Sequence, residues 1–111
     1  MSWRVLKFGG TSVGSSAALL AAGDIVRRAA AESQVIVVVS ALAGVTSGIA
    51  AALDAAVGRD PSWRDSFRDL RERHHTQLAA VGCGRAAVPA ADALDRSLER
   101  LRNLLRAVEL L

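Results

Sequence analysis

At 111 residues the chain has room for one domain or part of one, and a composition 51% hydrophobic but only 4% aromatic places it with globular rather than disordered proteins. A net charge of +3, carried by arginines interleaved with Asp and Glu, does not build the basic stripe that nucleic acid needs. There is no apolar run near the ~20 residues of a membrane helix, no apolar core of a signal peptide at the N-terminus, and a single cysteine, Cys83, which leaves no disulfide framework. The expectation is a cytoplasmic protein with no nucleic-acid or membrane partner.

Trp3 to Phe8 reads as a short strand broken by Gly9-Gly10. Ser15 to Ala31 reads as a helix with a hydroxyl cap and with Leu19, Gly23, Val26 and Ala30 on one side. The run "VIVVVS" (Val35 to Ser40) is continuously apolar and β-branched, the mark of a strand buried on both faces. After "ALAGVTS", Thr46 or Ser47 can cap a helix that runs to about Val57. The opening is therefore β-α-β-α, over residues 1–58. "GRDPS" stops one helix and starts the next, in which Trp63, Phe67, Leu70, His74, Leu78 and Val81 recur at spacings of three and four. "GCGRAAVP" interrupts, and Leu94, Leu98, Leu101, Leu105 and Val108 stripe a last helix. Residues 59–111 thus predict an antiparallel helical hairpin. The fold class is α/β. Two strands are few for a parallel sheet, and "RAVELL" stops in mid-stripe, so the chain reads as the opening part of a larger domain.

Both strands end in glycine-containing polar turns, "KFGGTS" and "SALAGVTS". Ligands of open α/β sheets bind outside the carboxyl ends of strands, and a helix that starts there offers free N–H groups and its dipole to an anion. Thirteen of the fourteen basic residues are arginine, so Lys7, the only lysine, stands out at the rim of this end. An ammonium is a compact point charge where guanidinium is a wide fork. Together these features describe a phosphate site: glycines for close backbone approach, lysine for charge, hydroxyls for hydrogen bonds. The site lacks a Walker A lysine, because Ser15 occupies that position, and the dinucleotide pattern G-x-G-x-x-G is absent. On the residues alone, a strand-end charge for Lys7, a plain turn for Gly9-Gly10, and helix caps for Ser12, Ser40 and Thr46 compete with ligand roles.

"VLKFGGTSVGS" together with "VVVSALAGVTS" resembles the N-terminus of an aspartokinase, within the amino acid kinase fold. The lysine-x-glycine-glycine element is shared across that superfamily; Thr11-Ser12 and the Ser40-Ala41-x-x-Gly44-x-Thr46 motif narrow the resemblance, which runs over essentially the whole chain. It implies the N-terminal part of a three-layer α/β domain and an enzyme that uses ATP with Mg2+ to phosphorylate the side-chain carboxylate of L-aspartate. The product, 4-phospho-L-aspartate, opens the route to lysine, threonine and methionine. Lys7 would be the catalytic cation on the transferring phosphoryl group. Phe8, Gly9 and Gly10 would complete the ATP-phosphate element with it, and Ser40 would sit beside the reacting groups. Thr46 corresponds to the aspartate-binding position, with Thr11 and Ser12 lining the same cleft. Ser47 departs from the Asn or Asp common after the motif threonine. The family's later glutamate-containing motif, its nucleotide-binding strands and its regulatory domains are not in these 111 residues. The resemblance therefore implies half a site, inactive alone, in a protein that is a homo-oligomer when complete. Another amino acid kinase, acting on acetylglutamate, carbamate or uridylate, and a non-catalytic anion-binding module remain as alternatives.

Other residues carry less chemistry. His74 and His75 are adjacent, about 100° apart on a helix, and cannot chelate as an i, i+4 pair would. No metal ligand is predicted. Cys83 has no nearby His or second Cys in the sequence, and Trp3 and Trp63 read as packing residues.

Overall fold

The computed structural model describes residues 2–82 and 84–111; Cys83 and the reading attached to it lie outside them. β1 (Trp3–Phe8) and β2 (Gln34–Val39) pair in parallel, with Lys7 opposite Val38 and Phe8 opposite Val39. The crossover between them is α1 (Ser16–Ala30). Three further helices follow: α2 (Val45–Val57), α3 (Trp63–Val81) and α4 (Ala87–Leu110). The α/β class and the helical hairpin expected from the sequence are both present. The chain divides into two compact units, Met1–Gly44 and Val45–Leu111. α2 therefore packs with α3 and α4, whereas the sequence grouping had placed residues 1–58 together.

In the first unit, strand alternation sends Leu6 and Phe8 to one face of the sheet and Val5 and Lys7 to the other. Phe8 is buried with Val13 and Ala22, and Leu6, Leu19, Val26 and Leu42 pack around them. The buried line of α1 is Leu19, Ala22, Val26 and Ala29: Leu19 and Val26 fall on the expected stripe, whereas Gly23 and Ala30 are exposed and Ala22 and Ala29 take their places. Alanine and glycine carry too little hydrophobic contrast to fix the phase of a helix whose turns are almost all small. Ser15 is the N-cap, its Oγ accepting from the Ala18 N–H at 3.1 Å.

The expectation of a strand buried on both faces is corrected by β2. Ile36, Val37, Val38 and Val39 are all exposed, because within this unit β2 has one strand neighbour and one helix to pack on. Trp3 is likewise 65% exposed at the start of β1, so it does not pack as expected.

The second unit closes on Ala52, Ala56, Trp63 and Leu105, with Phe67, Leu101 and Val108 against them. Small residues on α2 let the Trp63 indole lie against its backbone. The α3 and α4 stripes fall where their spacing put them: Leu70, Leu98 and Leu105 are buried, and Phe67, Leu94 and Leu101 half-buried. Pro89 sits in the first turn of α4, where a missing N–H costs nothing, so the break shrinks to residues 82–86. α2 ends in a Schellman turn: Asp60 N–H reaches the Ala55 carbonyl at 2.8 Å, and Arg59 N–H reaches that of Ala56 at 3.0 Å. The left-handed residue there is Arg59 (φ 57°) rather than Gly58.

The indole Nε1–H of Trp63 donates to Glu109 at 2.5 Å, and Arg64 grips both oxygens of the same carboxylate at 3.0 Å each. The bonds from Arg64, then that from Trp63, hold the Glu109 carboxyl below the usual glutamate range. A group depressed on folding stabilises above its unfolded value and loses that contribution as pH falls through the folded one. The thermal midpoint is therefore expected to stay level from neutral pH to about 5 and to fall below about 4. Glu109→Gln should flatten part of that acid limb in a thermal melt series; an unchanged acid limb would detach Glu109 from it.

Candidate active site

The carboxyl ends of β1 and β2 are tied together. The Ser40 N–H donates to the Phe8 carbonyl at 3.0 Å, extending the ladder one residue beyond both strands. The turn after β1 does not run straight into α1. Gly10–Val13 first form a single 3-10 turn, closed by the Ser12 N–H on the Gly9 carbonyl at 3.0 Å. A helical turn leaves its first N–H groups without partners inside it, here those of Gly10 and Thr11. The N-terminus of α1, by contrast, is capped by its own Ser15, so the helical turn that directly follows Lys7-Phe8-Gly9 is the short one.

The loop after β2 lies against this turn. A Cβ on Gly10 would stand 3.8 Å from the Ala41 carbonyl oxygen and from the Ala43 Cα. One on Gly14 would stand 3.0 Å from the Gly10 carbonyl oxygen and 3.5 Å from the Ala43 Cβ. Gly14 is thus the close-packed glycine. Gly14→Ala should cost about 1–3 kcal/mol through overpacking, read as a lower denaturant midpoint. A Cβ on Gly9 would meet nothing within 4 Å, so that glycine faces open space. The β2 loop turns back at Gly44 (φ 81°), a left-handed position that suits glycine, and is anchored by Leu42 in the cluster around Phe8.

Lys7 is exposed on the sheet face opposite α1, with no side-chain hydrogen bond or ion pair among the described residues. Gly9, Thr11 and Ser40 are exposed and Gly10 is half-buried. The Phe8 side chain is buried in the core, so any part it plays in holding phosphate falls to its backbone. Ser12 borders a hollow of about 220 Å3 with Phe8, Ala18 and Ala22, which places it toward α1. Thr46 belongs to the second unit. It stands exposed inside the first turn of α2, which begins at Val45, so neither Thr46 nor Ser47 is the residue that precedes the helix. The structure thus joins Lys7, Gly9, Gly10 and Ser40 at one end of one sheet, and gives Thr46 a separate element. Leu42 went unnoticed in the sequence; the lone large apolar residue in "SALAG" was the one available sign of the anchor.

The histidines serve packing contacts. His74 Nδ1–H donates to the Leu70 carbonyl at 2.7 Å, since a carbonyl can only accept, and His75 Nε2 pairs with Asp95 at 2.7 Å. Among the described residues, no group of three or more His, Cys, Asp or Glu is placed to hold a metal ion, and no helix is long and apolar enough to cross a membrane.

Comparison with known proteins agrees with the strand-end geometry. The pattern of the Amino acid kinase family matches residues 2–110. The chain is 31% identical over 106 residues to the chloroplastic bifunctional aspartokinase/homoserine dehydrogenase 1 of Zea mays, covering 96% of this chain and 11% of that protein. It is 30% identical over 107 residues to the Arabidopsis thaliana protein of the same name, covering 96% of this chain and 12% of that one. It therefore spans about a tenth of the length of the relatives it matches. A parallel strand pair closed by a lysine-glycine-glycine turn, inside a match that runs almost from end to end, makes this chain a member of the amino acid kinase family.

Proposed function

We propose that this chain forms the phosphoryl-binding part of an aspartate kinase, which transfers the γ-phosphoryl group of ATP to the side-chain carboxylate of L-aspartate. The product is 4-phospho-L-aspartate, and the reaction is the first step toward lysine, threonine and methionine. The observation that carries the reading is the similarity, over 96% of the chain, to proteins named as aspartokinases. The strand-end arrangement supports it: an ammonium without a partner among the described residues, beside two mutually packed glycine turns, suits a group that gathers negative charge as it transfers.

In this reading Lys7 lies against the transferring phosphoryl group and offsets its charge. The N–H groups at Gly9 and Gly10 hold phosphate oxygens, with Phe8 contributing only backbone. Ser40, hydrogen-bonded to β1 through its own N–H, donates its hydroxyl beside the reacting groups. Thr46, with Thr11 and Ser12, is assigned to aspartate on family resemblance. The turns offer hydroxyl and backbone groups but no carboxylate, so Mg2+ would arrive with the nucleotide phosphates. The enzyme is read as cytoplasmic and homo-oligomeric in its complete form.

The test is phosphorylation by the full protein with ATP and Mg2+, offering L-aspartate, N-acetylglutamate, carbamate and UMP side by side, following ADP release for all four and trapping acyl phosphate with hydroxylamine where one forms. Turnover confined to aspartate is expected. Preference for another acceptor would move the protein elsewhere in the family, and no turnover with any would remove the kinase reading. Gly9 supplies a finer check. Its open surroundings and φ of −77° accept a methyl, so Gly9→Ala should leave stability equal or about 0.4–1 kcal/mol higher. Its KM for ATP should nevertheless rise several-fold, because the methyl occupies space that phosphate needs. An unchanged KM would take Gly9 out of the phosphate site.

A further inference from the structure

The helical unit carries a second concentration of positive charge, which the reaction proposed above does not use. Arg64, Arg68 and Arg71 follow one another at i, i+4 and i+7 on α3, and Arg102 and Arg106 at i, i+4 on α4. All five line one hollow of about 470 Å3, floored by Trp63 and Phe67. Its lining includes no carboxylate residue.

The charges there are not equally engaged. Arg64 is committed to Glu109 and its guanidinium lies 4.5 Å above the Trp63 ring, which it covers. Arg68 and Arg102 pair with Asp65 and Glu99, one turn away on their own helices, in bridges whose side chains are about half or more exposed. Such bridges are worth little and exchange readily for a better anion. Arg71 and Arg106 make no ion pair among the described residues, although the charge of Arg106 helps to hold the Glu109 carboxyl down. Asp95 and Glu99 border the neighbouring hollow beside Arg71 and Arg102, which sets a negative limit at that end.

We propose that this groove is a binding site for a small polyanion carrying several phosphate groups. The size is right: the volume is within the range of small-molecule sites, and seven residues of helix give a row about 10 Å long. An extended acidic peptide would engage only about three residues over that length, whereas linked phosphates fill it with charge. Guanidinium forks bind phosphate oxygens two at a time. With Trp63 already covered by Arg64, recognition rests on charge and forks rather than on stacking of a base.

Inorganic triphosphate is the probe, titrated calorimetrically at low salt into the full protein carrying Lys7→Ala, which separates this groove from the strand-end site. One triphosphate is expected to bind, with affinity falling as salt is raised. Arg71→Glu with Arg106→Glu should weaken it about tenfold or more. Both residues lack ion-pair partners among the described residues, and circular dichroism should show the fold retained. Should the double charge reversal unfold the protein, Arg71→Lys with Arg106→Lys tests the same point through a smaller loss, since charge remains but the forks do not. Absence of binding, equal binding by the charge-reversed protein, equal competition by orthophosphate, or tighter binding of a hexaglutamate peptide would each overturn the proposal.

Discussion

Replacing Lys7 with alanine is expected to lower kcat of the full protein about 100- to 1,000-fold, the usual loss when one preorganised charge or donor is removed from a transition state. KM for aspartate should change little, because the ammonium is aimed at the phosphoryl group and not at the acceptor's own binding groups. Stability should also change little, since Lys7 is exposed and unpaired among the described residues. Arginine should not restore the rate: its charge is spread over a planar fork that places no single point where the ammonium stood. Steady-state kinetics with a thermal melt on the same preparations decides the matter. A normal turnover number in Lys7→Ala would end the catalytic assignment, and a parallel collapse of stability would mean the residue holds the fold instead.

The largest effect on stability is expected at Trp63. Its indole is 2% exposed, packed against Ala52, Ala56 and Leu105, and its N–H joins Arg64 in linking the start of α3 to Glu109 near the end of α4. Trp63→Ala removes the ring and leaves a cavity, for which about 3–5 kcal/mol is expected. Trp63→Phe keeps most of the packing but strips the hydrogen bond, and should lose less. It should also shift the acid limb of the stability profile in the same direction as Glu109→Gln. Chemical denaturation of the three proteins at neutral and acid pH would check both parts. A small loss for Trp63→Ala would mean that the helices collapse onto the vacancy or that the core lies elsewhere.

What could be read in advance follows the strength of the physical signal. β1, β2 and the helices of the second unit were legible because alternation, β-branching and three-four spacing of large apolar residues leave few readings open. That Lys7, Gly9, Gly10 and Ser40 lie at one end of the sheet was legible for a related reason: residues at the carboxyl ends of two paired parallel strands come out side by side. The failures share a cause as well. The phase of α1 rests on alanine against glycine, and burial of β2 depends on neighbours that its own residues cannot supply. The 3-10 turn at Gly10–Val13 is built from residues that serve equally well in loops. Leu42 and Gly14 matter only through contacts across the two turns, which no local pattern reveals.

The exposed amine at the end of β1 has one more consequence. Lys7 is the sole side-chain ε-amine of these 111 residues. Acetylation or carbamylation of a lysine in this segment thus has one address, and each replaces the ammonium with an uncharged group, an amide in the first case and a urea in the second. For this part of the protein, the chemistry of covalent lysine modification and the chemistry of phosphoryl transfer converge on the same nitrogen.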